Sequence, residues 1–197
     1  MKARQISHSL LEADDSILII VDIQDAFLNK LPPHESKHLL SHACWLIAVA
    51  RWRKIPLVVT AEEIHKQPLS PKLVQSLPAS TPIFDKATFG LAHQPDILNA
   101  VEETGRKTAV LIGLETDVCV AHSAIGLLEQ GYRVAVVADA TGTPAHGQEI
   151  GLNRMKNAGA VIVSTKSLFY EWMRTVETVN RFHRECPNMR DLDGIVL

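Results

Sequence analysis

Five short, largely apolar runs punctuate this chain: Ser16–Val21, Pro56–Thr60, Ala109–Ile112, Val134–Ala138 and Val161–Val163. A briefer one stands at Ile83-Phe84. Runs of strand length that do not alternate with polar residues suit strands covered on both faces, hence a parallel sheet. Helical stripes separate them. Leu39, Ala43, Ile47 and Ala50 line a helix predicted from about Ser36 to Arg53. Ile97, Leu98 and Val101 line one over Asp96–Glu103, and Val120, Ala124, Leu127 and Leu128 line the one after the Ala109 run. A further helix is expected over Gly147–Asn157. Strands alternating with helices imply βαβ units with right-handed crossovers. The predicted fold is therefore α/β with three layers: a six-stranded, mostly parallel, doubly wound sheet of Rossmann type with helices on both faces.

The 197 residues are expected to form one domain, with residues 1–15 as an N-terminal arm and residues 167–197 as a helical tail. Leu168, Trp172, Val176 and Val179 align in that tail. The segment Ala61–Ser80 carries charges and prolines and reads mostly as loop. A net charge of -2 gives no electrostatic footprint for nucleic acid or an anionic membrane, so neither is expected as a partner. No apolar run reaches transmembrane length, and the first fifteen residues lack a signal-peptide apolar core. A cytoplasmic, reducing setting is the expectation. The three cysteines, Cys44, Cys119 and Cys186, lie far apart and suggest neither a disulfide framework nor a zinc knuckle.

In open parallel sheets, ligands bind outside the carboxyl ends of the strands. That rule selects Asp22, Lys86, Cys119 and Asp139. Cys119 stands where a strand gives way to a helix. Unpaired N–H groups and the positive end of the macrodipole there favour thiolate over thiol. The opposing reading is a small buried hydrophobe. A nucleophilic thiol needs a base and a cation. Asp22 can take the proton, Lys86 can hold the thiolate, and backbone N–H groups at the helix start can face an oxyanion. Asp139 is expected to fix the following turn instead of reacting.

Three stretches carry a family resemblance: Asp22-Ile23-Gln24-Asp25-Ala26-Phe27, Asp85-Lys86-Ala87-Thr88-Phe89 and Gly113-Leu114-Glu115-Thr116-Asp117-Val118-Cys119-Val120. They resemble, in order, the three motifs of the isochorismatase-like cysteine hydrolases. The resemblance implies a catalytic triad with Asp22 as base, Lys86 as electrostatic partner and Cys119 as nucleophile. It also implies a cis peptide at Leu114–Glu115, oxyanion contacts from the Glu115 and Cys119 amides, and a homo-oligomer, dimeric or higher.

Nicotinamidases of that family carry a metal site after strand two. Here that region is Thr60-Ala61-Glu62-Glu63-Ile64-His65-Lys66, with a lone His65, so neither a metal nor a cofactor is expected. Gln24, Phe27, Phe89 and Thr116 are the candidate substrate-binding residues. For Gln24 and Phe27 the alternative is fixing a loop, for Phe89 core packing, and for Thr116 a helix cap. The expected activity is cleavage of a small amide or carbamoyl-type C–N bond through a thioester. The alternatives are a silent hydrolase-like fold used for binding or assembly, and an isochorismatase-type hydrolase of another small metabolite.

Overall fold

The fold is that of a computed structural model, which describes residues 10–189 and Leu192. Its strands are β1 (Ser16–Val21), β2 (Leu57–Glu62), β3 (Ile83–Lys86), β4 (Thr108–Leu114), β5 (Arg133–Gly142) and β6 (Val161–Val163). They form one six-stranded sheet in the order β3-β2-β1-β4-β5-β6. Every neighbouring pair is parallel, as the unbroken apolar runs require. The helices are α1 (Asp25–Leu28), α2 (Pro33–Trp52), α3 (Pro71–Ser76), α4 (Pro95–Glu103), α5 (Ala121–Glu129), α6 (Gly147–Ala158), α7 (Thr165–Met173) and α8 (Val176–Glu185).

Side chains alternate across a strand, so each strand serves two cores. On one face Leu18, Ile20 and Ile112 meet α2, α7 and α8 through Ala43, Phe169 and Phe182. On the other, Ile17, Ile19 and Leu111 meet α4, α5 and α6 through Val101, Leu127 and Met155. Gly113 is required where β1 and β4 run side by side. Its φ is +127°, and a Cβ there would meet the Val21 carbonyl oxygen at 1.8 Å.

Several boundaries differ from expectation. Helix α2 begins at Pro33, three residues before Ser36, because proline fits the first helical turn, where its missing N–H is no loss. The expected loop over 61–80 contains α3. The tail is two helices, not one. Arg174 has φ +63° and breaks it, and the Thr175 hydroxyl then caps α8 by accepting from the Thr178 N–H. Val176 consequently falls at the start of α8 and is 76% exposed, and Phe182 takes the inward place.

Of the predicted arm, residues 1–9 lie outside the described residues. Its described end packs on the domain, with Leu11 buried and the Leu11 N–H bonded to the Glu171 carboxylate at 2.6 Å. Of the tail's tip, residues 190–191 and 193–197 lie outside the described residues. The Met189 carbonyl accepts from the Trp45 indole at 3.0 Å.

Candidate active site

Four strand ends build the site. Strand β1 ends in Asp22, which holds φ +49°, a conformation that aspartate tolerates better than most residues. Strand β2 reaches Glu62, two residues beyond its predicted end, and pairs there with Lys86 on β3. Strand β4 leads through a cis Leu114–Glu115 peptide into a wide turn over Thr116–Val120 that carries Cys119. In that turn the Val120 N–H reaches back to the Glu115 carbonyl at 3.1 Å. Asp117 accepts from the Thr143 hydroxyl at 2.6 Å, which ties the turn to the end of β5. Helix α6 lies close against it because Gly151 has no Cβ, an atom that would stand 2.8 Å from the Asp117 Cα.

The ammonium of Lys86 is the centre of the arrangement. It lies 2.9 Å from Asp22 Oδ2, 3.6 Å from Cys119 Sγ and 3.7 Å from Glu62 Oε2. It also donates to the Thr88 carbonyl at 2.7 Å. Asp22 Oδ1 accepts from the Thr60 hydroxyl at 2.8 Å. Sγ and Glu62 Oε2 are 3.6 Å apart. Asp22 and Lys86 are fully buried, Cys119 is 4% exposed and the Glu62 side chain 23% exposed. Donor atoms of Asp22, Glu62 and Cys119 all lie within 4.8 Å of one another, the only such His, Cys, Asp or Glu group among the described residues. The cation set against these three atoms is the lysine itself. His65 is exposed and stands apart from them.

The electrostatics follow from enclosure. Burial raises the Asp22 carboxyl above the usual carboxylate range, and the Lys86 ammonium and the hydrogen bonds to it only partly oppose this. Burial also works against the charge on Lys86. The combined pull of Asp22, Cys119 and Glu62 outweighs it, and the lysine keeps its proton. The Cys119 thiol is pushed up to about 12, first by burial and then by the Asp22 charge, with Lys86 opposing and Glu62 adding to the rise. The bias toward thiolate expected at a helix start is outweighed here. Cys119 sits four residues into its turn, walled in, and two carboxylates outweigh the single ammonium.

The other predicted residues divide sharply. The Gln24 side chain is spent on the backbone. Its Nε2 donates to the carbonyls of Glu62, at 2.8 Å, and Gln67, and its Oε1 accepts from the Glu62 N–H at 2.8 Å. Phe27 is buried in the α2-side core, with the Lys30 ammonium 4.5 Å over its ring. Lys30 in turn pairs with the Glu115 carboxylate at 2.8 Å. The buried Thr116 hydroxyl donates to Gln148 Oε1 at 2.6 Å. Phe89 alone of the four is open, 57% exposed, with its ring edge-on to His122 at 6.1 Å. Asp139 secures the start of α7, accepting from the Thr165 N–H at 2.7 Å and from its hydroxyl at 2.9 Å, and does not reach the thiol's cluster.

Glu62 is the residue that sequence reasoning missed. Alternate residues on a strand share a face, so a β2 drawn two residues longer would have put it beside Thr60 at the sheet's carboxyl edge.

The family model described as Isochorismatase domain matches residues 16–167. The Escherichia coli (strain K12) protein named "Probable hydrolase YcaC" is 27% identical over 190 residues, covering 92% of this chain and 91% of that protein. Isochorismatase family protein 2A of Dictyostelium discoideum is 30% identical over 178 residues, covering 84% of this chain and 86% of that protein. Among solved structures, YcaC from Pseudomonas aeruginosa, described with hexane-2,5-diol and covalent acrylamide, matches with a TM-score of 0.78 at 26% identity, over 94% of this chain and 96% of that one. Escherichia coli YcaC, described as an octameric hydrolase of unknown specificity, matches with a TM-score of 0.80 at 25% identity, over 93% and 94%. With most of its length matched by the family model, and with the same sheet, the chain belongs to the isochorismatase domain family.

Proposed function

We propose that this protein is a hydrolase of a small amide, carbamoyl or related C–N bond, with Cys119 as nucleophile, Asp22 as base and Lys86 as electrostatic partner. The observation that carries the reading is one buried ammonium, 2.9 Å from a carboxylate and 3.6 Å from a thiol. The thiol is stored with its proton, so attack and deprotonation go together. Sulfur bonds to the substrate carbon as Asp22 takes the S–H proton. A carboxyl whose pKa is raised by enclosure suits that task. Asp22 then gives the proton to the leaving nitrogen as the C–N bond breaks. Water attacks the thioester, its proton passing to Asp22, and the C–S bond breaks as sulfur is reprotonated. Lys86 stays charged throughout and steadies whichever neighbour carries the negative charge. The Glu115 and Cys119 amides are the proposed oxyanion donors. Phe89 is the proposed rim of the pocket, and Gln24, Phe27 and Thr116 act by holding loops.

The relatives support this reading. The Pseudomonas YcaC structure contains covalent acrylamide, an electrophile that nucleophiles attack at its alkene carbon, which supports the nucleophile and not the choice of bond cleaved. On the likeness to octameric Escherichia coli YcaC, the proposal includes a homo-oligomer. The second reading, a silent fold used for binding, draws on the low exposure of Cys119. A binding module, however, has no use for a buried lysine held between two carboxylates and a thiol.

The test is Cys119→Ala against a panel of small primary amides and ureido compounds. Turnover should fall by roughly a thousandfold or more, and mass spectrometry of the wild type should catch an acyl adduct on the Cys119 peptide. Undiminished turnover in the variant sinks the reading.

A further inference from the structure

The inference concerns Glu62 and rests on the nucleophile reading above. In the proposed mechanism one proton passes between Cys119 and Asp22, whose reacting atoms lie within 4.8 Å of each other. Whichever holds it, the pair carries one negative charge, and the Lys86 ammonium balances that charge. Glu62 is a second carboxylate in contact with the same ammonium, 3.7 Å away, and with the same sulfur, 3.6 Å away. The cluster therefore carries one negative charge in excess, and Glu62 is its source.

The placement of that charge matters as much as its sign. Asp22 and Lys86 are fully buried, while the Glu62 side chain is 23% exposed, so Glu62 is the carboxylate of the cluster that solvent reaches. The main chain that carries the carboxylate is also held. Gln24 clamps the Glu62 backbone at both its N–H and its carbonyl. His122, edge-on to Phe89, has its pKa lowered, by partial burial first and then by Arg154, His93 and Lys86.

We propose that Glu62 is a specificity-determining residue: it accepts hydrogen bonds from N–H groups on the reacting carbon and selects substrates that are positively charged there, of the amidine or guanidine class, over those with a carboxylate nearby. The chemistry balances for such a substrate. Sulfur bonds to the amidinium carbon and the thiol proton passes to Asp22, then to the nitrogen that leaves as ammonia. Water adds to the resulting thioimidate. Sulfur departs with one of the water's protons, leaving an amide from an amidine or a urea from a guanidine, and the proton carried by the cationic substrate ends on the ammonia as ammonium.

Three alkylating agents of nearly equal size test the assignment without knowledge of the substrate: 2-chloroacetamidine, a cation; 2-chloroacetamide, neutral; and chloroacetate, an anion. The rate of Cys119 labelling is read by peptide mass spectrometry and divided by the rate with glutathione, which removes intrinsic reactivity. In the wild type the amidine-to-acetate ratio should exceed unity by roughly tenfold or more. In Glu62→Gln it should fall by about tenfold. The ratio also cancels any general change in thiol reactivity. Glu63→Gln removes the same charge from the neighbouring residue, which is exposed and pairs with Lys66, and should leave the ratio alone.

An unchanged ratio in Glu62→Gln, or an equal fall in Glu63→Gln, overturns the specificity assignment and leaves the nucleophile standing. No labelling of Cys119 by any agent, with Cys44 and Cys186 labelled, overturns both.

Discussion

Cys119 shows how far a single residue can be read before its surroundings are known. Its place after an apolar run and before a helical stripe marked it as a candidate, and Asp22 and Lys86 were marked by the same edge rule. Its protonation state was not legible, because that depends on enclosure and on Glu62, a residue 57 positions earlier in the chain. The consequence is measurable. A thiol pushed up to about 12 is neutral through the physiological range, and its thiolate fraction grows about tenfold for each pH unit. Alkylation of Cys119 by iodoacetamide should rise continuously from pH 7 to beyond pH 9, without the plateau that an ordinary thiol would reach. Stability follows the same sign. The unfolded chain ionises this thiol near its ordinary value of 9.0, so the stability it contributes is fully present below that pH and is lost as the pH climbs toward about 12. A labelling plateau below pH 9 would contradict this picture of the resting site.

At the scale of elements, strand existence was legible and strand extent was not. Each of the six strands coincides with an apolar run, since burial on both faces leaves little choice of residue. Strand β2 was drawn short because Glu62 and Glu63 read as solvated loop. What extends it is tertiary: Glu62 is in register with Lys86 on β3, and Gln24 binds its backbone from the end of β1. Gln24 is thus a joint between two strand ends. Gln24→Ala would leave buried backbone groups without partners and is expected to cost about 1–3 kcal/mol of stability, read by urea unfolding. It should also raise KM more than it lowers kcat, because it displaces the substrate-recognising Glu62 without touching the thiol. A variant with wild-type stability and wild-type kinetics would show that the joint is dispensable. The break at Arg174 was equally hidden. The apolar stripe of the tail continues across it, and only a backbone turn with positive φ divides the helices.

For the whole molecule, strand and helix alternation was enough to specify the three layers, and the pattern of alternate faces explains the two separate cores. Assembly is another matter, since a subunit interface leaves no periodicity of its own. Ile150 on α6, Phe89 and Tyr170 are exposed large apolar side chains, the kind of surface that a neighbouring subunit can cover. Static light scattering of the full chain should return an integral multiple of 21.7 kDa greater than one. A mass of one chain would remove the homo-oligomer from the proposal.

A cavity of about 640 Å³ lies between the start of α2 and the end of β5, lined by residues such as Leu31, His38, Asp139 and Gln148, and includes none of the four groups around the sulfur. Inhibitor discovery should take its cue from that separation. A molecule seated in that hollow would press on Thr143 and Gln148, which bond Asp117 and Thr116 in the turn that carries Cys119, and is expected to alter turnover from outside the site.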